Sequence, residues 1–75
     1  MNAQPTPGLY WCDTLPQHWI VVDRAGQAWI VGTQTGAWAK RTPYNGHQDA
    51  LQPALPATVR LSCKIAGIPP AEVGL

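Results

Sequence analysis

The tripeptide Trp-Ile-Val occurs twice, at 19–21 and at 29–31, with Asp23-Arg24-Ala25-Gly26 in between. Two β-branched apolar runs around such a turn predict a β-hairpin. Asp at the first turn position and Gly26 where a left-handed residue is wanted fit a type I turn closed by a glycine bulge. That turn sets a register. With Asp23 opposite Gln27, Val22 faces Ala28, Val21 faces Trp29, Ile20 faces Ile30 and Trp19 faces Val31. Side chains alternate along a strand. One face then carries Ile20, Val22, Ala28 and Ile30, and the other Trp19, Val21, Trp29 and Val31. A hairpin apolar on both faces must cover both or expose one.

The rest of the chain is read around that hairpin. Residues 1–8, with Pro5, Pro7 and Gly8, form a flexible lead-in. The single domain spans 9–75. Leu9 to Asp13 reads as a first strand, stopped by the turn at Thr14-Leu15-Pro16. The hairpin strands run about 18–23 and 27–32. Ala37 to Arg41 reads as a short fourth strand, an edge guarded by Lys40, Arg41 and then Pro43. Residues 42–56 form a long irregular stretch of the sort that wraps a core or carries function. In 57–67, Val59, Cys63 and Ala66 recur at helical spacing, and Gly67 and Pro69 supply the stop. A helix is expected there, with a strand as the competing reading. The fold class is α+β: a small four-stranded antiparallel meander, open or curled into an SH3-like barrel, with one C-terminal helix.

Lys64-Ile65-Ala66-Gly67-Ile68-Pro69-Pro70-Ala71-Glu72-Val73 resembles the turn of a helix-turn-helix. The resemblance covers about ten residues. The residues after Gly67 leave a second helix too short to read a groove, so a helix stop with a capped tail is the expected reading.

Charged residues make up 12% of the 75 residues, five Lys and Arg against four Asp and Glu. An average domain carries about 25%. Such thin, balanced charge lacks the basic footprint of a duplex-binding protein. No signal peptide or spanning segment is apparent, so a cytoplasmic location is expected, with reduced thiols. Cys12 and Cys63 match no paired-cysteine motif and read as small buried apolar side chains, a disulfide being the alternative in an oxidising compartment. No catalytic constellation is enforced by spacing. Cys12, Asp13 and His18 lie near one another in sequence without a third orienting group. His47 and Asp49 lack the paired ligands of a structural zinc site. No cofactor, no metal and no enzymatic activity are expected.

The aromatics carry the remaining signal. Trp11, Trp19, Trp29 and Trp38 fall on successive expected strands. In a chain without phenylalanine they are first of all core. Their functional reading is an apolar anchor for a partner, or a stacking platform. One helix offers one apolar stripe, which covers most simply the aliphatic face. The aromatic face is then left for the long loop or a second subunit. Burying even ~400 Å² there contributes roughly 10 kcal/mol gross, before association entropy removes much of it. The expected function is a non-enzymatic interaction module, a homodimer through an apolar or Trp-rich sheet face, with a protein partner as a further option and no membrane. The alternative is a small barrel that binds single-stranded nucleic acid by aromatic stacking. The candidate binding residues are Trp11, Trp19, Trp29, Trp38, Tyr44, Arg24, Lys40 and Arg41.

Overall fold

The computed structural model describes residues 6–75, so most of the expected lead-in (residues 1–5) lies outside the described residues. The described residues form an open antiparallel sheet with one α-helix. The strands are β1 (Gly8–Trp11), β2 (His18–Val22), β3 (Ala28–Gly32), β4 (Thr42–Pro43) and β5 (Gln52–Pro53), in spatial order β4-β3-β2-β1-β5. The helix α1 spans Pro56–Ala66, and single turns of 3-10 helix lie at Ala37–Lys40, Gln48–Ala50 and Pro70–Val73.

The β2–β3 hairpin has the register expected from its turn: Val22 opposite Ala28, Val21 opposite Trp29, Ile20 opposite Ile30, Trp19 opposite Val31. Asp23 and Gln27 close the loop through a 2.9 Å backbone hydrogen bond. Gly26 takes φ 87°, the left-handed conformation that glycine adopts without steric cost. β1 joins the hairpin with Leu9 opposite Val21 and Tyr10 opposite Ile20. Leu9 and Trp11 therefore share a face with Val21, and Tyr10 shares the other with Ile20.

Two cores result, one on each side of the sheet. On one side Ile20, Val22, Ala28 and Cys12 pack together beneath Tyr10, Leu15, Ile30, Tyr44 and Leu51. On the other, Leu9, Val21 and Val31 pack against Cys63, Ala66, Ile68 and Val73. The helix thus covers the aromatic face, not the aliphatic one. Its inward residues over the sheet are small, Cys63 and Ala66, which lets its backbone come close to Val21 and Val31. Trp19, Trp29 and Trp38 pack around the margin of that core and stay half-buried.

The aliphatic face is covered by the stretch expected to be an irregular loop. β4 pairs with β3 at one edge of the sheet and β5 pairs with β1 at the other. The chain between them therefore straps the face, bringing Tyr44 and Leu51 onto it. A 2.9 Å bond from the Tyr44 N–H to the Ala28 carbonyl ties the strap down. Both outer strands are two residues long and contain proline, which lacks an N–H and is tolerated at an edge. Among the described residues the count is accordingly five strands, and no pairing joins β4 to β5 into a barrel.

The segment Ala37–Arg41 is not a strand. Gly36, at φ 72°, turns the chain into a 3-10 turn over Ala37–Lys40. The Gly36 N–H donates to the carbonyl of Ile65 (3.0 Å), which fixes that turn to the end of the helix. The helix itself falls within one residue of expectation at each end. Gly67 (φ 78°) and Ile68 both donate to the Cys63 carbonyl at 2.9 Å, a glycine-terminated helix end with Ile68 turned back onto the core. Beyond it the 3-10 turn Pro70–Val73 packs Val73 inward, the stop and capped tail expected there.

Candidate functional site

The structure divides the four tryptophans into two pairs. One step beyond Tyr10–Ile20, the β1–β2 register brings Trp11 beside Trp19 on the helix side. These two line a groove of about 310 Å³. The β1–β2 turn contributes Pro16, the start of β2 contributes His18, and Thr33 closes it beyond β3. Ala54, Leu55 and Thr58, from the approach to α1 and its first turn, form the remaining wall. None of these is Asp, Glu, Lys or Arg. The turn is held by bonds from Leu15 N–H to the Cys12 carbonyl (3.2 Å) and from His18 N–H to the Leu15 carbonyl (3.1 Å). Those bonds place Pro16 and His18 at the groove.

The second pair is occupied by the chain itself. The guanidinium carbon of Arg41 lies 4.7 Å from the ring centre of Trp29 and 4.1 Å from that of Trp38. A planar cation suits contact with indole faces. Arg41 Nη1 also donates to the Trp38 carbonyl at 3.1 Å, whereas its Nε is buried without an acceptor. The indole N–H of Trp29 donates to the Asp23 carboxylate at 2.9 Å. Replacing Arg41 with lysine keeps the charge and loses the planar contacts. A loss of about 1 kcal/mol in denaturant unfolding is expected, with a change in tryptophan emission.

The other candidate residues stand apart. Arg24 is exposed at the hairpin tip and Lys40 is exposed on the 3-10 turn; neither lines the Trp11–Trp19 groove. Tyr44 belongs to the strap. Its hydroxyl donates to the His47 carbonyl at 3.0 Å, and burial together with the nearby Cys12 holds its phenol above the ordinary value. Pro16, His18, Thr33, Ala54, Leu55 and Thr58 are groove residues that the sequence alone does not mark. One signal was available: Leu55, directly before Pro56, is apolar at a helix start where a polar cap is the rule.

Cys12 and Cys63 belong to cores on opposite faces of the sheet, so no disulfide can join them. Both are free and buried, and burial pushes the Cys63 thiol up. A thiol-specific disulfide reagent is therefore expected to leave native protein unlabelled and to titrate both thiols in denaturant; rapid native labelling would contradict this burial. The sulfur of Cys12 is 3.4 Å from the Thr14 hydroxyl, and His18 is exposed where it lines the groove. Among the described residues no group of three His, Cys, Asp or Glu side chains is placed to hold a metal ion. Among the same residues no helix is long and apolar enough to cross a membrane.

Comparison with family models, with curated proteins and with solved structures finds no match to this chain.

Proposed function

We propose that this protein is a non-enzymatic interaction module that self-associates through the side of the sheet bearing Trp11 and Trp19. The observation that carries this reading is the composition of that side. Two half-buried tryptophans and an exposed leucine line a groove that contains no Asp, Glu, Lys or Arg. Interface cores are depleted in charge and enriched in tryptophan. The apolar surface that would ordinarily recruit a partner, the middle of each sheet face, is already covered by the chain's own helix and strap. Association by strand addition is disfavoured by Pro43 and Pro53 at the two edges. A nucleic-acid strand stacking on these indoles would need cations beside them, and Arg41 is held against Trp29 and Trp38 instead.

Sedimentation equilibrium tests the reading. The average mass should rise with concentration between about ten micromolar and about a millimolar, the range of weak specific association. Added salt should leave this association intact or strengthen it, whereas nucleic-acid binding would weaken steeply. A monomer mass across the whole range would refute the proposal.

A further inference from the structure

Leu55 is the most exposed large apolar side chain among the described residues, at 73%. It stands where a helix favours the opposite kind of residue. It is the N-cap of α1 and makes no side-chain hydrogen bond to the first turn. Serine, threonine, aspartate or asparagine at that position would satisfy one of the helix's free N–H groups. Local stability therefore gives no reason for a leucine here. The side chain stands at the rim of the Trp11–Trp19 groove. Further along α1, Leu61 and Ile65 are also exposed, at 61% and 42%, on the flank that Thr58 shares. The helix cations, Arg60 and Lys64, line pockets on the other flank.

Resting on the self-association reading above, we propose that the groove's occupant is Leu55 of a second copy, two copies exchanging these side chains about a two-fold axis. A knob standing at the rim of its own hole is the arrangement an isologous interface requires, because each copy must present both halves of the contact. The groove, about 310 Å³, has room for a branched aliphatic side chain. Its lining brings no like charges together when two copies meet face to face. An interface of ordinary size takes about 800 Å² from each partner, roughly a sixth of the 5107 Å² surface. Thr58 lines the groove and shares its helical flank with Leu61 and Ile65, which continues the apolar surface from the groove along α1.

The test compares the full wild-type chain with Leu55→Asp and Leu55→Met by sedimentation equilibrium, and by thermal melting at a dilution where all are monomeric. Aspartate is a favoured N-cap, so Leu55→Asp should melt at or above the wild-type temperature. Its self-association should nevertheless weaken about tenfold or more. Leu55→Met, similar in size and polarity, should associate nearly as the wild type does. Wild-type association by a folded Leu55→Asp variant overturns the Leu55 exchange and leaves the self-association reading standing. A wild-type chain that stays monomeric overturns both.

Discussion

Aspartate placed at Ile20, or at its neighbour Val21, is expected to unfold the chain in either case. Adjacent strand residues point to opposite faces, so in a sheet with one wet face one of the two would accept a charge. Here both are fully buried, Ile20 under the strap and Val21 under α1. An unpaired carboxylate in either core is costly, and no charged or polar residue among those described is buried there to pair with it. The milder Ile20→Ala change is expected to cost about 2–5 kcal/mol. A domain of this length has about 4–11 kcal/mol in all, at roughly 0.05–0.15 kcal/mol per residue. Alanine at Ile20 thus removes a large share, read as a fall in the urea midpoint. A near-wild-type midpoint for either aspartate variant would contradict the two-core arrangement.

The second large effect is expected at Asp23. One carboxylate oxygen accepts the N–H groups of Ala25 (3.0 Å) and Gln27 (2.9 Å), and the other accepts the Trp29 indole N–H (2.9 Å). One side chain therefore fixes the hairpin turn and the edge of the aromatic face. Asp23→Ala is expected to cost about 1–3 kcal/mol, the loss of charge-assisted bonds tempered by solvent at the turn. Asp23→Asn should cost less, because its amide oxygen can serve the two backbone donors while its NH₂ faces another donor, the indole. Partial burial pushes the carboxyl up. The bonds from Trp29, Gln27 and Ala25 outweigh it and hold the native value below the ordinary 3.8. A depressed carboxyl stabilises the fold above its unfolded value and loses that contribution as the pH falls through the native one. The stability gap between wild type and Asp23→Asn should be widest near neutral pH and should narrow below about pH 4. A gap independent of pH would show that the carboxylate charge plays no part.

What could be read from the residues divides along physical lines. The hairpin register was readable because Asp23 and Gly26 define the turn and alternation does the rest. The helix was readable because Gly67 and Pro69 mark its end. β4 and β5 were not, since two-residue strands show no periodicity and their prolines argue against strand. Ala37–Arg41 looked like a strand because of Trp38, yet the left-handed turn at Gly36 and its bond to Ile65 impose a 3-10 turn. Which element covers which face depends on contacts distant in sequence. The simple assignment of helix to aliphatic face failed because small Cys63 and Ala66 fit over the valines between the tryptophans.

The candidate site shows the same division. Four tryptophans were evident, but not their pairing, which depends on β1 lying next to β2. The pairing changes the functional argument. Trp29 and Trp38 are held by Arg41 and Asp23, and Trp11 and Trp19 remain beside an exposed leucine. The surface proposed to meet a partner is thus not an uncovered sheet face but the margin of a covered one.

One chain covers both faces of its own sheet. Methyl and aromatic NOE spectra of a dilute, monomeric sample test this arrangement. The Ile20 methyls should show NOEs to the Tyr44 ring and Leu51 methyls, and the Val21 and Val31 methyls to Ile68 and Val73, all at full intensity in the monomer. Loss of either set on dilution, with the chain still folded, would show that a second copy, not the chain itself, covers that face.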